Sequence, residues 1–335
     1  MLARSYLFVP GDSEKKLAKS QGTDADALIL CLEDSVTEAH KSAARAIVTD
    51  YLKTYSETST ATLWVRVNAL STEHLIKDLV AVMAGKPYGI FLPKPSSHED
   101  FKTVANYLTA LEVQNDITPG STRLMSVAES ALGTLNQHQF PDASPRLAAM
   151  TWGAEDMSTD LGATTNQDEA GNYFLIHQIN RANCLVVAAA GNMQAVDGIC
   201  QDFKNSDQLR QQCLHSRKEG FSGKIAIHPA QVAIINECFT PSEEEIRYAQ
   251  QVVQTFSESG GAGTVSLAGK MLDIPHLKQA QKILNQEALI KHRVIPIPFL
   301  NYEITAHERE HRLFNRPTSE SNSFHASQHL LIISS

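Results

Sequence analysis

Two carboxylates close two short apolar runs near the middle of the chain: Glu129 in the segment VAES and Asp156 in the segment WGAED. If the runs are parallel strands, both side chains emerge at the same end of a sheet. Hard oxygen donors gathered there suit Mg²⁺ far better than a metal that prefers thiols or imidazoles. Other polar residues end apolar runs in the same way: Glu33 with Asp34, Arg66 with Asn68, then Lys94, Glu155, Asp197 and His228. Loops are polar in any protein, and that alone accounts for many of these positions. It accounts least for Glu129, which sits in an otherwise apolar stretch followed by Ala-Leu-Gly. The pattern points to an enzyme.

The elements that would carry these residues are eight short runs, at 5–10, 27–34, 62–68, 89–95, 123–130, 146–156, 194–200 and 223–229. Each is rich in Val, Ile and Leu and mostly continuous, as expected of strands buried on both faces. Segments with helical spacing lie between them, such as TEAHKSAARAIVTDYLKTY and FLIHQINRANCLVVAAAG. Gly22, Gly85 and Gly191 follow expected helices, where a left-handed residue can close the last turn. Strand–helix alternation of this kind predicts a (β/α)8 TIM barrel, with an open doubly wound sheet as the alternative. In a barrel, chemistry gathers at the C-terminal ends of the strands, where these polar residues stand.

The chain has 335 residues, 42% of them hydrophobic, and a net charge of −8, so it can bury a large core and lacks the basic excess of nucleic-acid binders. Five cysteines show no C-x-x-C spacing and are expected to be reduced thiols serving as small apolar residues. The N-terminal apolar stretch, Tyr6 to Pro10, is too short for a secretory signal, and no run is long enough to span a membrane. A soluble, cytoplasmic protein is expected.

The expected domains are a barrel over 1–240, a helical extension over 241–300 acting as lid and oligomer arm, and a poorly ordered tail over 301–335. The extension holds two helical segments joined by the glycine-rich GGAGTVSLAGKMLD, expected to be a flexible link. Two motifs mislead. His307-Glu308-Arg309-Glu310-His311 fits the zinc-protease pattern, but its flanks are charged and unlike those of a buried zinc helix. The stretch GTVSLAGKM resembles a phosphate loop, yet its glycines are one residue too far apart and Met271 replaces the required hydroxyl.

Taken in order, RSYLFVPG, ILCLEDSV, WVRVNAL, IFLPKP, AESALGTLN, WGAEDMSTDLGA, GFSGKIAIHPAQV and GKMLDIPHLKQA resemble the citrate lyase β-subunit-like family of the HpcH/HpaI aldolase superfamily. That group includes malyl-CoA and citramalyl-CoA lyases. The resemblance covers about residues 4–290 and implies the following roles. Glu129 and Asp156 are the Mg²⁺ ligands. Arg66 grips the oxo-acid portion. Asp34 holds water on the metal. Asp273 reaches the active site of a neighbouring subunit. Lys16 and Lys19 lie near the phosphates of coenzyme A. Family members usually carry D-L-E-D at the second strand, whereas this chain has Cys31 in the first of those positions.

The implied reaction is a retro-Claisen cleavage of a short hydroxyacyl-CoA, of citramalyl-CoA or malyl-CoA type, to acetyl-CoA and a 2-oxo acid. Mg²⁺ would stabilise oxygen charge, Arg66 would hold the carboxylate, and Asp273 would act as acid/base with a raised pKa. Thioester hydrolysis, a citryl-carrier-protein lyase subunit and a weakly catalytic oxo-acid-binding subunit are the alternatives on the same scaffold. Arg66 could instead be a barrel-rim ion-pair partner, Asp273 a helix cap, and His228 a structural residue. The resemblance also implies a homo-oligomer, a trimer or a multiple of one.

Overall fold

Strands that are apolar on both faces need a packed interior on one side and a layer of helices on the other. The computed structural model, which describes residues 2–291, provides both. Its strands are β1 (Ser5–Pro10), β2 (Ala27–Cys31), β3 (Thr62–Arg66), β4 (Gly89–Leu92), β5 (Arg123–Ala128), β6 (Leu147–Trp152), β7 (Gln194–Asp197) and β8 (Gly223–Ala226). They form a closed parallel barrel in sequence order, sealed where Ser5–Leu7 pair with Lys224–Ala226. The expected (β/α)8 barrel is therefore observed, and the open sheet is excluded.

Neighbouring residues on each strand divide between two cores. Tyr6, Ile29, Trp64, Phe91, Met125 and Ile225 fill the barrel interior. Leu7, Leu28, Leu30, Val65 and Met150 face outward into the helical layer. The observed strands end up to four residues before the expected ones, because residues such as Glu33 and Glu129 lie beyond the ladder and turn toward the Lys94 cluster at the site.

The helices are α1 (Glu14–Ser20), α2 (Lys41–Tyr55), α3 (His74–Met83), α4 (His98–Gln114), α5 (Ala131–Asn136), α6 (Glu155–Leu161), α7 (Leu175–Ala190), α8 (Ser206–Glu219), α9 (Val232–Phe239), α10 (Glu243–Glu258) and α11 (Ile274–Lys291). Gly22, Gly85 and Gly191 are not left-handed, contrary to expectation. The left-handed residues are one position later at two of these ends, Lys86 (φ 52°) and Asn192 (φ 54°). Gly85 serves packing instead: a Cβ there would lie 2.4 Å from Cβ of Leu52 on α2.

The segment between α10 and α11 is not a flexible link. It folds as an antiparallel hairpin, β9 (Thr264–Leu267) with β10 (Lys270–Asp273). Ala268 (φ 49°) and Gly269 (φ 76°) make the two-residue turn, with both φ angles positive as in a type I′ turn. Ala249, Val252, Phe256, Leu272 and Ala280 form a small core of their own between the hairpin and the two helices. Gln286 on α11 donates to the Phe239 carbonyl at 2.8 Å, and Arg217 on α8 pairs with Glu245 on α10 at 2.8 Å, so the extension is tied to the barrel.

All five cysteines are free and buried, as expected. Among the described residues no helix is long and apolar enough to cross a membrane. The 301–335 tail and the 307–311 motif lie outside the described residues.

Candidate active site

The C-terminal mouth of the barrel opens on a cavity of about 370 Å³. Arg66, Glu129 and Asp156 line it, together with Cys31, Glu155, Thr151, Trp152, Tyr173 and the apolar Phe8, Phe91, Val127 and Ile225. Three of the expected site residues, drawn from β3, the β5 end and the start of α6, are thus brought together.

Arg66 is almost enclosed. Its guanidinium lies 4.6 Å from the centroid of the Phe8 ring, and its Nε and Nη2 donate to Cys31 Sγ at 3.2 and 3.1 Å. Nη1 is 3.1 Å from Glu33 Oε2. That contact is an ion pair without hydrogen-bond geometry, since Glu33 Oε2 has no hydrogen-bond partner among the described residues. Arg66 does have an ion-pair partner at the barrel rim, yet it also faces the cavity.

Glu129 is 6% exposed, and its Oε1 accepts from the Lys94 backbone N–H at 3.2 Å. Burial raises its pKa well above the ordinary carboxylate value, and the carboxylates of Asp156 and Glu33 push the same way against Arg66 and Lys94. Lys94 stands at the centre of this group. Its Nζ lies 2.9 Å from Glu33, 3.1 Å from Asp156 and 3.6 Å from Asp34. Its left-handed backbone (φ 51°) lets its N–H and its ammonium serve the same cluster.

Among the described residues there is no group of three or more His, Cys, Asp or Glu side chains that could hold a metal ion on their own. Glu129 and Asp156 nevertheless fit Mg²⁺, which is commonly held by one or two carboxylates while retaining water or substrate oxygens. The observation that supports the fit is Glu129 itself, a buried carboxylate whose ionisation a nearby divalent cation would favour.

The remaining expected site residues are elsewhere. Asp34 is 55% exposed and reaches the cluster only through Lys94. Lys16 and Lys19 are exposed on α1 and do not line the cavity. Asp273 does not line it either. Its carboxylate is 44% exposed and pairs with His276 at 2.5 Å. Its pKa is lowered, chiefly by the hydrogen bond with the His276 side chain, and not raised as expected for a desolvated acid/base. The Asp273 backbone N–H donates to His276 Nδ1 at 3.3 Å, so its contacts lie with the first turn of α11.

Several contributors were not identified as site residues from the sequence. Glu33 and Lys94 act through contacts 61 positions apart, which no local motif reports. Tyr173 closes one wall by packing edge-on against Trp152, 5.0 Å between centroids, and burial pushes its phenol up to about 12. Trp152 is fixed by a 2.8 Å hydrogen bond to Asp197. Asp197 is in turn paired with Lys224 and Arg181, a buried structural network. Glu155 accepts from Asn166 at 3.1 Å and from Gln201, tying two loops to the rim. His228 stacks on Phe203 and accepts from the Ala230 N–H, a structural role.

The family described as HpcH/HpaI aldolase/citrate lyase matches residues 4–229. A (3S)-malyl-CoA thioesterase of Cereibacter sphaeroides is 36% identical over 283 residues, 84% of this chain and 93% of its own. A mitochondrial citramalyl-CoA lyase of Rattus norvegicus is 31% identical over 302 residues, 87% of each chain. Among solved structures, the protein CitE from Mycobacterium tuberculosis in complex with magnesium, acetoacetate and coenzyme A aligns with a TM-score of 0.69. It shares 27% identity, over 86% of this chain and 98% of that one.

Proposed function

We propose, since this chain belongs to the HpcH/HpaI aldolase/citrate lyase family, that it cleaves a short hydroxyacyl-CoA of citramalyl-CoA or malyl-CoA type to acetyl-CoA and a 2-oxo acid. It is an enzyme of the lyase kind. The observation that carries the substrate reading is the convergence of Arg66, Glu129 and Asp156 on one cavity at the barrel mouth.

Cleavage removes the proton of the hydroxyl and breaks the bond between the carbinol carbon and the carbon next to the thioester. The oxygen lone pair becomes the new carbonyl. The electron pair of the broken bond passes to the thioester enolate, which takes up a proton to give acetyl-CoA. Arg66 binds the carboxylate of the 2-hydroxy-acid end, and Phe8 and Cys31 hold the guanidinium in orientation. Mg²⁺, bound by Glu129 and Asp156, would supply Lewis-acid stabilisation of developing oxygen charge. Lys94 holds the Glu33 and Asp156 carboxylates in register. The apolar wall of Phe8, Phe91, Val127 and Ile225 limits water at the reacting carbons. Asp273 enters this scheme only from a second copy of the chain, since within one chain it is outside the cavity. Coenzyme A would extend outward from the mouth, with Lys16 and Lys19 as candidate phosphate partners.

Hydrolysis of the thioester is the second reading, favoured by the similarity to a protein named as a malyl-CoA thioesterase. Counting thiols separates the two. Release of free CoA in step with substrate loss indicates hydrolysis, whereas acetyl-CoA without a free thiol indicates carbon–carbon cleavage.

A further inference from the structure

Thr151 is 2% exposed and lies on β6. Its neighbours Met150 and Trp152 join the outer core, and Ala149 joins the inner one. Alternation along the strand therefore turns Thr151 into the barrel, and it lines the cavity. Its Oγ1 is buried and has no hydrogen-bond partner among the described residues. Ser5 Oγ and Ser216 Oγ, also buried, donate to Asn236 at 2.7 Å and to Asp197 at 2.6 Å, and the other buried threonine hydroxyl without a partner among the described residues, Thr122 Oγ1, does not line the cavity. A buried hydroxyl left unpaired by the protein costs stability, and valine would fill the same volume without that cost. A threonine here gains a use when a ligand oxygen enters the cavity.

We infer that Thr151 is a substrate-binding residue whose hydroxyl donates to an oxygen of the oxo-acid head group. The inference rests on the proposed function and adds a contact to it. Thr151 stands on β6, three strands round the barrel from Arg66 on β3, so the two hold the head group from different walls. Phe8, Phe91, Val127 and Ile225 offer that group no hydrogen-bonding side chain. Carboxylate and oxo oxygens only accept, and a threonine hydroxyl can supply the donor.

Calorimetric titration of Mg²⁺-loaded wild type, Thr151→Val and Thr151→Ser with pyruvate and with glyoxylate tests this, alongside melting of each ligand-free protein. Thr151→Val is expected to melt at or above wild type, because no protein hydrogen bond is lost. Its dissociation constant for the preferred oxo acid is expected to rise about tenfold or more, the scale of a lost hydrogen bond to a charged group. Thr151→Ser keeps the donor and is expected to stay within about threefold of wild type. Unchanged affinity in Thr151→Val with a lowered melting temperature would overturn the inference and make the residue structural. So would a Thr151→Ser protein that binds as weakly as Thr151→Val, since the methyl would then be what matters. If wild type binds neither oxo acid, the proposed function fails and this inference with it; if wild type binds and Thr151→Val binds equally, the inference alone fails.

Discussion

Arg66 donates two hydrogen bonds to the sulfur of Cys31, through Nε at 3.2 Å and Nη2 at 3.1 Å. The thiol thus occupies one flank of the guanidinium. Arg66 keeps one carboxylate partner, Glu33, and an orienting contact to sulfur. Its positive charge remains available to an incoming carboxylate.

Replacing Cys31 should therefore act through the arginine. Cys31→Ala is expected to raise KM for the hydroxyacyl-CoA by about twofold to tenfold, the scale of one modest hydrogen bond, with a smaller change in kcat. Cys31→Ser, which keeps an acceptor, should lie closer to wild type. Steady-state kinetics on the three proteins decide it, and equal loss in both variants would mean that sulfur size, not acceptance, matters.

Gly153 is packed against the buried carboxylate. A Cβ at this position would lie 3.0 Å from Glu129 Cβ and 3.2 Å from its Oε2. Gly153→Ala should displace Glu129 by a few tenths of an ångström and weaken Mg²⁺ binding several-fold while the barrel still folds. A Mg²⁺ titration followed by thermal shift measures this, and unchanged affinity would show that Glu129 has room to move.

Far from the site, Glu112 is expected to contribute to acid sensitivity. Burial opposes its ionisation, but Arg146 and the backbone N–H groups of Gly120 and Thr122 outweigh it and hold its pKa down to about 2. A lowered folded-state pKa means that the folded protein binds this proton less readily than the unfolded chain. Its stabilising contribution is full above about pH 5 and is lost as the pH falls toward 2. Glu112→Gln should cost about 3–5 kcal/mol at neutral pH, because Arg146 is left buried without its charge partner. It should also flatten the loss of stability between about pH 5 and pH 2. Denaturant melts of both proteins across that range provide the check.

Asp273 separates two roles. If it completes the site of a second copy, Asp273→Ala and Arg66→Ala are each inactive, and mixed oligomers regain about a quarter of the sites by random pairing. If it only caps α11, Asp273→Ala lowers the melting temperature and spares turnover. Activity of the mixture against each variant alone distinguishes the two.

Much of this architecture was legible because buried parallel strands leave a strong mark. The ALILC and TLWVR runs are too continuously apolar for surface strands and too short for helices. Glu129 and Asp156 stood out as carboxylates at strand ends, and they do meet at the barrel mouth. Lys94 was seen at a strand end, but its role depends on Glu33 and Asp156 converging on one ammonium, which only the closed barrel brings about. The hairpin at 264–273 was missed because Ala268-Gly269 is a weak turn signal and its strands have only four residues each. At Lys86 and Asn192 the helices close one residue after the glycine, because the glycine is required for contact and not for its φ.

The central claim is that carbon–carbon cleavage takes place at the Arg66, Glu129 and Asp156 cluster with Mg²⁺. The most direct test is a mass-resolved product assay with citramalyl-CoA and with malyl-CoA, run on wild type with Mg²⁺, wild type with EDTA, and Glu129→Gln. The account predicts acetyl-CoA with an equal amount of pyruvate or glyoxylate from the wild type with Mg²⁺ alone. Free CoA with intact citramalate or malate, or acetyl-CoA formed equally by Glu129→Gln, would contradict it.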